Sequence, residues 1–197
     1  MNTKTGDSSY LKFKWNIQGI FDNFPEIERE LEHRINQLPE NNTKEIKRIT
    51  NWINKIKTID NSIQNIRKYK LGELEKNIKY NFAEPDLVIL SFIQPSVKNL
   101  FTELNIYSSK VGFDFNFEPY LNMDEAAKVL ALIGDAAIDL ALIENLWEPN
   151  ISNVGELTEK RSNFASNENL ARICDKWDIY DLRIHFDPNK ILSKVYN

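Results

Sequence analysis

Isoleucine recurs at helical spacing between Thr43 and Lys79, and this pattern constrains the fold of the 197-residue chain more than any other feature. The apolar positions follow one another at intervals of three or four residues; they are Ile46, Ile49, Ile53, Ile56, Ile59, Ile63 and Ile66. Such spacing places the side chains on one side of an α-helix. The stretch therefore predicts one long amphipathic helix whose apolar face must be covered by another element.

The segment just before it predicts that covering element. Pro25 opens an acidic first turn, and an apolar stripe at helical spacing follows. Pro39 and the asparagines that follow it end the pattern. The stripe consists of Ile27, Leu31, Ile35 and Leu38. We expect a helical hairpin in which this helix packs antiparallel against the long one.

The distribution of charge divides the chain near Ala83–Pro85. Residues 1–84 carry 15 basic and 12 acidic side chains, whereas residues 85–197 carry 10 basic and 17 acidic ones, within a net charge of -4. We expect a basic helical extension at 1–84 and a separate domain at 85–197. Ten basic and four acidic residues lie between Lys44 and Lys79. They form either a solvated helix face or a surface that contacts phosphate.

Cysteine usage and hydropathy limit the class of protein. The single cysteine, Cys174, excludes a disulfide within one chain and a zinc site built from paired cysteines. The first 18 residues lack the apolar core of a signal peptide. No window is apolar over the length needed to span a bilayer. We expect a cytoplasmic protein with no membrane association.

Two short segments alternate apolar and polar residues, as half-buried strands do. They are Leu11–Ile17 and Gly112–Glu118. One interpretation is that they pair with each other as a small two-stranded β element, because neither would be stable alone. The other is that both are extended arms packed on helices.

The second half of the chain is otherwise helical in pattern, so the predicted fold class is all-α. An apolar helix begins at Pro85 and should kink or break at Pro95. Asp124 is expected to cap a helix that runs to Trp147. Two further helices are predicted after it, one starting near Val154 and one near Asn167.

Asp135 and Asp139 are the residues most suggestive of chemistry. They interrupt the apolar stretch LALIGDAAIDLALIENLW one helical turn apart, hence on one face. Neighbouring carboxylates repel unless a cation or a basic side chain lies between them, and a divalent metal held by oxygen ligands is one such cation. Alternatively, Asp139 is exposed and paired with a lysine, and Asp135 caps a neighbouring helix. Gly134 would permit another backbone to approach closely.

Three separated motifs resemble the catalytic domain of the ribonuclease III family. The resemblance covers roughly Pro85 to Ile184 and includes a degenerate form of the family's opening turn at Ile93–Ser96. The three motifs, in chain order, are Ile133-Gly134-Asp135-Ala136, then Gly155-Glu156-Leu157-Thr158 with Arg161, and Asn167-Glu168-Asn169-Leu170-Ala171.

The resemblance implies an all-helical endonuclease domain that dimerises through the helix bearing Asp135. It also implies metal-dependent hydrolysis of phosphodiester bonds in double-stranded RNA, with Mg²⁺ or Mn²⁺ as the cofactor. Asp135 is then the catalytic metal ligand and Asp139 a second ligand. Glu168 is either a third ligand or an acid that favours the start of its helix. Arg161 and Lys160 either contact phosphate or form salt bridges with Glu156 or Glu159.

Two departures from the family pattern leave the activity open. Ala131 stands where the family usually has a metal-binding Glu, although mini-ribonuclease III can also lack that Glu and carry an acid soon after the Asp. After Ile184 there is no Asp-x-x-Glu-Ala-type helix. The chain is therefore either a ribonuclease III-like enzyme whose last catalytic helix lies outside it, or a non-catalytic module for dimerisation and RNA or protein binding.

Overall fold

The computed structural model describes residues 19–147 and 153–186, and this part of the chain is built from α-helices without a sheet, which confirms the predicted all-α class. Two single-turn 3₁₀ helices, Ile20–Asp22 and Tyr180–Leu182, lie near its ends. The α-helices are α1 (Phe24–Gln37), α2 (Thr43–Asn65), α3 (Leu71–Ile78), α4 (Pro85–Phe92), α5 (Ser96–Val111), α6 (Glu118–Leu146), α7 (Val154–Phe164) and α8 (Asn167–Lys176).

The predicted helical hairpin is present as α1 and α2. The apolar stripe of α1 is buried at Phe24, Ile27 and Leu31, and it packs against the isoleucines of α2. Lys57 of α2 lies 3.2 Å from a carboxylate oxygen of Glu32 on α1. The short connection between the helices makes them antiparallel, as expected from the sequence.

A π-helical turn at Ile66–Lys70 joins α2 to α3 without a break in the helical path. A π-turn accommodates one extra residue per turn. Ile66 and Leu71 are five residues apart, yet both are buried, and Leu74 continues the same face. The turn therefore keeps two apolar stripes in register that a regular α-helix would rotate apart.

The expected interruption at Pro95 is a complete break between α4 and α5. The turn between these helices is tied to the segment that follows α8. The Ile184 N–H donates to the Phe92 carbonyl at 2.9 Å, and the Gln94 N–H donates to the Ile184 carbonyl at 3.0 Å. These bonds make an isolated parallel bridge between Ile93 and Ile184. The chain after α8 thus returns to the core.

The strand predicted at Gly112–Glu118 does not form. Residues 113–117 are non-helical and unpaired, and Glu118 already belongs to α6. The rings of Phe113, Phe115 and Phe117 instead cluster against the helical core. This segment is an arm packed on helices because its rings gain more contact there than a lone two-stranded ladder offers. Leu11–Ile17, its expected partner, lies outside the described residues.

One hydrophobic core takes side chains from both sides of Ala83–Pro85, from Ile20 to Ile184. Tyr120 lies at its centre and donates a hydrogen bond to the Ile20 carbonyl at 2.7 Å. Burial raises the pKa of the Tyr120 hydroxyl above its ordinary value. The division into domains at 1–84 and 85–197 remains a prediction.

α6 is 29 residues long and only its first third belongs to this core, at Tyr120, Met123 and Ala126. It begins at Glu118, so the prediction that Asp124 caps the helix is wrong: Asp124 lies inside α6 and pairs with Lys128 at 2.9 Å. The acidic first turn and proline needed to start a helix are already supplied by Glu118 and Pro119. Within the described ranges, no helix is long and apolar enough to cross a membrane.

Candidate functional site

Asp135 lies on the part of α6 that extends beyond the core. Its side chain is exposed and has no hydrogen bond or ion pair within the described residues. Nothing comes within 4 Å of the position that a Cβ of Gly134 would occupy. The close approach that Gly134 would permit is therefore not made by the described part of this chain.

Asp139, one turn further along α6, is held by Arg161 of α7. Arg161 Nη1 donates to Asp139 Oδ2 at 2.5 Å, with the two side chains 33% and 42% exposed. A hydrogen bond between a guanidinium and a carboxylate is among the stronger hydrogen bonds in proteins. Solvent weakens this one because both side chains are at least a third exposed. The pair neutralises one of the two carboxylates and links α6 to α7.

The start of α7 explains why its motif contains a glycine. Asn153 Oδ1 caps the helix by accepting the Gly155 N–H at 2.9 Å. A Cβ at residue 155 would lie 3.0 Å from that same oxygen, tighter than most real contacts. Gly155 therefore permits the capping side chain to sit over the first turn, which fixes where α7 begins and places Arg161 opposite Asp139.

Salt bridges on α7 differ partly from those expected. Lys160 pairs with Glu156 at 2.9 Å, as one alternative predicted. Arg161 pairs with Asp139 on α6 rather than with Glu156 or Glu159, which is a correction. Spacing along one helix cannot identify a partner on another helix, and α7 packs against α6 along this side.

Glu168 is the second residue of α8 and is exposed. Ser166 caps this helix by accepting the Asn169 N–H at 3.3 Å. An acid in the first turn interacts favourably with the helix dipole. This position fits the helix-start interpretation of Glu168, and no hydrogen bond joins it to Asp135 or Asp139 among the described residues.

The described residues do not assemble a complete metal site. Across 19–147 and 153–186, no three His, Cys, Asp or Glu side chains are grouped so that they could hold a metal ion. A Mg²⁺ ion takes oxygen ligands in octahedral geometry and usually needs more than one carboxylate. Asp135 alone, beside an Asp139 already paired with Arg161, does not meet that need.

The segment that carries these residues matches a known family. Residues 128–194 match the family model of the ribonuclease III domain. This segment belongs to the ribonuclease III family. Domains of this family act on double-stranded RNA, typically dimerise and generally depend on a divalent metal. The ribonuclease III match includes Asp135, Asp139, Arg161 and Glu168, and begins at Lys128 on α6 rather than at Pro85.

One relative is similar over about half of the chain. The rice (Oryza sativa subsp. japonica) protein Endoribonuclease Dicer homolog 3b is 31% identical over 103 residues, which is 52% of this chain. The alignment spans 5% of the rice protein, so the chain corresponds to a small part of that relative. No solved structure matches the chain.

The exposure of the ribonuclease III helix α6 was not foreseen. Apolar residues lie on every side of the stretch from Leu130 to Trp147, and such a helix is expected to be buried. Instead Leu132 and Leu140 are 70% and 68% exposed. The sequence signal was the absence of a polar face, which indicates that more than one neighbour is needed to cover the helix.

Proposed function

We propose that this chain is a ribonuclease III-like protein that acts on double-stranded or structured RNA. The observation that carries the proposal is the exposed Asp135, which has no hydrogen bond or ion pair with the described residues and lies in the family-matched segment on a helix that projects from the core. A carboxylate that is neither buried nor paired is available to a ligand. The ribonuclease III family acts on double-stranded RNA, and this supports RNA as the substrate at the site.

A second copy of the chain is the proposed partner of α6. Five exposed residues repeat at alternating intervals of three and four, the spacing of a helix–helix seam. These residues are Ile133, Ala136, Leu140, Ile143 and Trp147. Such a contiguous apolar surface marks an interaction site in a soluble domain. Gly134 beside this seam leaves room for a neighbouring helix to approach closely.

Within this proposal Asp135 is the residue that binds Mg²⁺ or Mn²⁺. When bound, the metal supplies the activation of water and the stabilisation of the leaving oxygen in phosphodiester hydrolysis. As the described side chains are placed, Asp135 has no second carboxylate beside it that is free to share a metal, so further oxygen donors are needed. Asp139 and Glu168 could join the set only if Asp139 left Arg161 and both side chains turned towards Asp135.

The alternative is a non-catalytic ribonuclease III-like module that dimerises and binds RNA or protein. The observation that favours it is the donor set: Ala131 replaces a metal-binding position of the family pattern, and Asp139 is neutralised by Arg161. Both functions use the same exposed α6 seam, so only an activity measurement separates them.

The test is cleavage of a labelled RNA duplex by the full chain in Mg²⁺ or Mn²⁺, together with binding of the same duplex in EDTA. Asp135→Asn removes the charge of the proposed ligand. Glu144→Gln is the matched control because Glu144 is also exposed on α6 and unpaired within the described residues. We expect Asp135→Asn to slow cleavage more than about a hundredfold, since changes even behind a metal ligand cost about ten- to a hundredfold.

The outcomes separate the two functions. Cleavage that is lost in Asp135→Asn and kept in Glu144→Gln supports the enzyme. Binding without cleavage by any of the three proteins supports the non-catalytic module. A chain that neither binds nor cleaves duplex RNA contradicts the enzyme and the RNA-binding form of the module.

A further inference from the structure

The outer face of α2 differs from every other helix surface near it in its charge. Every exposed side chain of α2 is basic or neutral and polar, and its two acids, Glu45 and Asp60, are half-buried. The exposed set is Thr43, Lys44, Lys47, Arg48, Thr50, Asn51, Asn54, Lys57, Thr58, Asn61, Gln64 and Asn65. A chain with a net charge of -4 thus presents one helix face, here called the α2 face, on which no acid is exposed.

Two cations of the α2 face have structural partners, and these partners explain why a basic residue is present at each position. Arg48 forms a bidentate pair with Glu45, with both bonds at 2.7 Å, and its guanidinium lies over the Trp52 ring. Lys57 pairs with Glu28 and Glu32 across the hairpin. These contacts of Arg48 lie within α2, and the Lys57 pairs join α2 to α1.

Lys44 and Lys47 have no such partner within the described residues. They lie in the first two turns of α2, where the positive end of the helix dipole disfavours cations. Neither lysine therefore stabilises the helix on which it lies. Lys110 of α5 is likewise exposed and unpaired in the described part of the chain, and it lines the same hollow as Arg48 and Glu103.

These features together fit a polyanion with a regular backbone. From Lys44 to Lys57 the helix extends about 20 Å at 1.5 Å per residue, long enough to follow several phosphates. Threonine, asparagine and glutamine between the cations can donate hydrogen bonds to phosphate and ribose oxygens. No aromatic ring is exposed on the α2 face, so it offers no platform for stacking unpaired bases.

The neighbouring surface restricts the side from which such a ligand can approach. On α1, the other helix of the hairpin, Glu26 and Glu32 are exposed. Glu32 is paired with Lys57, and Arg29 on the same helix is exposed as well. Glu26 is therefore the exposed acid without an ion pair among the described residues, and its charge disfavours a nucleic acid that approaches over that end of α1. On the opposite side of the hairpin, towards α5, the exposed acid is Glu103, and its carboxylate accepts a hydrogen bond from Trp52 Nε1 at 2.7 Å. The unpaired lysines on α2 and α5 lie on this side.

We propose that the α2 face, together with Lys110, binds the sugar–phosphate backbone of duplex RNA. This contact lies outside the family-matched segment at 128–194. It rests on the proposed function in that duplex RNA is the ligand, and it does not depend on cleavage.

The experiment measures binding of a labelled RNA duplex to the full chain in EDTA over a series of KCl concentrations. The test variant is Lys44→Gln/Lys47→Gln/Lys110→Gln. The matched control is Lys68→Gln/Lys76→Gln/Lys79→Gln, which removes the same charge from exposed lysines that also have no ion pair among the described residues. We expect the slope of log affinity against log salt to fall by about three in the test variant and to stay unchanged in the control.

The result should be the same for two duplexes of unrelated sequence, because backbone contacts carry no sequence information. Equal slopes for the test variant and the unchanged chain would overturn the inference while leaving the proposed function standing if cleavage persists. An equal fall in the control triple would also overturn it, since net charge alone would then explain binding. If the chain cleaves no RNA and the salt slope falls only in the test variant, RNA binding by the α2 face is supported. That outcome contradicts only the proposal that the chain is an enzyme.

Discussion

Arg161 is the residue that decides what Asp139 can do. By donating to Asp139 it occupies one member of the Asp135–Asp139 pair, and Asp135 is left without an ion pair among the described residues. The two acids are equivalent in sequence, one turn apart on the same helix. Their difference comes from α7, whose start is fixed by the Asn153 cap over Gly155. The metal roles of Asp135, Asp139 and Glu168 stay predictions.

The strength of the Asp139–Arg161 pair can be measured by a double-mutant cycle with Asp139→Asn and Arg161→Gln. Both side chains are at least a third exposed, so we expect a coupling free energy below about 1 kcal/mol in urea unfolding. The coupling free energy is expected to be this small because solvent screens the two charges. A coupling above about 2 kcal/mol would mean that the pair is desolvated, for example by a second protomer.

At the scale of elements, the π-turn at Ile66–Lys70 determines how the hairpin is joined to the rest of the core. It holds Arg67 between Asp22 and Asp86, at 2.8 Å from each, and so connects three elements. The five-residue step from Ile66 to Leu71 also breaks the regular apolar rhythm of the sequence. A π-turn is the structure that reconciles that step with continuous burial.

Deleting Tyr69, which is 54% exposed, should convert the π-turn to a regular α-helix. Leu71 would then follow Ile66 by four residues and remain on the buried face. We expect the free energy of unfolding to change by less than about 1 kcal/mol, because no core contact is lost. Thermal unfolding followed by circular dichroism measures this.

Deleting Asn61, an exposed residue inside α2, is the control for Tyr69. It rotates Ile63 and Ile66 by about 100° relative to the preceding turns and takes them from the core. Burial of each isoleucine contributes about 1.5–3 kcal/mol to the free energy of unfolding. Because both would leave the core, we expect cooperative unfolding to be lost. Equal effects of the two deletions would show that the π-turn does not serve to keep the stripes in register.

At the scale of the whole molecule, the core is complete around α1 to α5 and the start of α6, whereas α7 and α8 contain no fully buried residue. The projecting end of α6 carries apolar side chains that nothing in the described chain covers. A surface of this kind is expected at an interface between subunits. The homodimer remains a proposal.

The dimer can be tested with Leu140→Glu, which places a charge in the middle of the exposed α6 seam. We expect a shift from dimer to monomer in sedimentation velocity, because a buried unpaired carboxylate is costly at an interface. In the monomer the substitution should change stability by less than about 0.5 kcal/mol, since the side chain is 68% exposed. Ile106→Glu on α5, 52% exposed, is the control and should leave the oligomeric state unchanged. A chain that is monomeric before any substitution would contradict the proposed dimer.

Much of the helical architecture was predictable because each helix carries its own signals. The stripe of α1, the isoleucines of α2 and the break at Pro95 are local features, and all three predictions are confirmed. Of the two interpretations of Gly112–Glu118, the strand does not form, and the arm packed on helices is present because the rings of Phe113, Phe115 and Phe117 pack against the core. The cap at Asp124 was wrong because α6 already begins at Glu118, with Pro119 in its first turn.

The sequence by itself determined the all-α class, the hairpin, and the motif that places the segment in the ribonuclease III family. Those features depend on residues close together in the chain, where spacing translates directly into geometry. Only the tertiary structure decided that Arg161 pairs with Asp139, that Asp135 has no ion pair among the described residues and that the later part of α6 is exposed. Each of these depends on which helices meet, and a pattern within one helix contains no information about the position of the next.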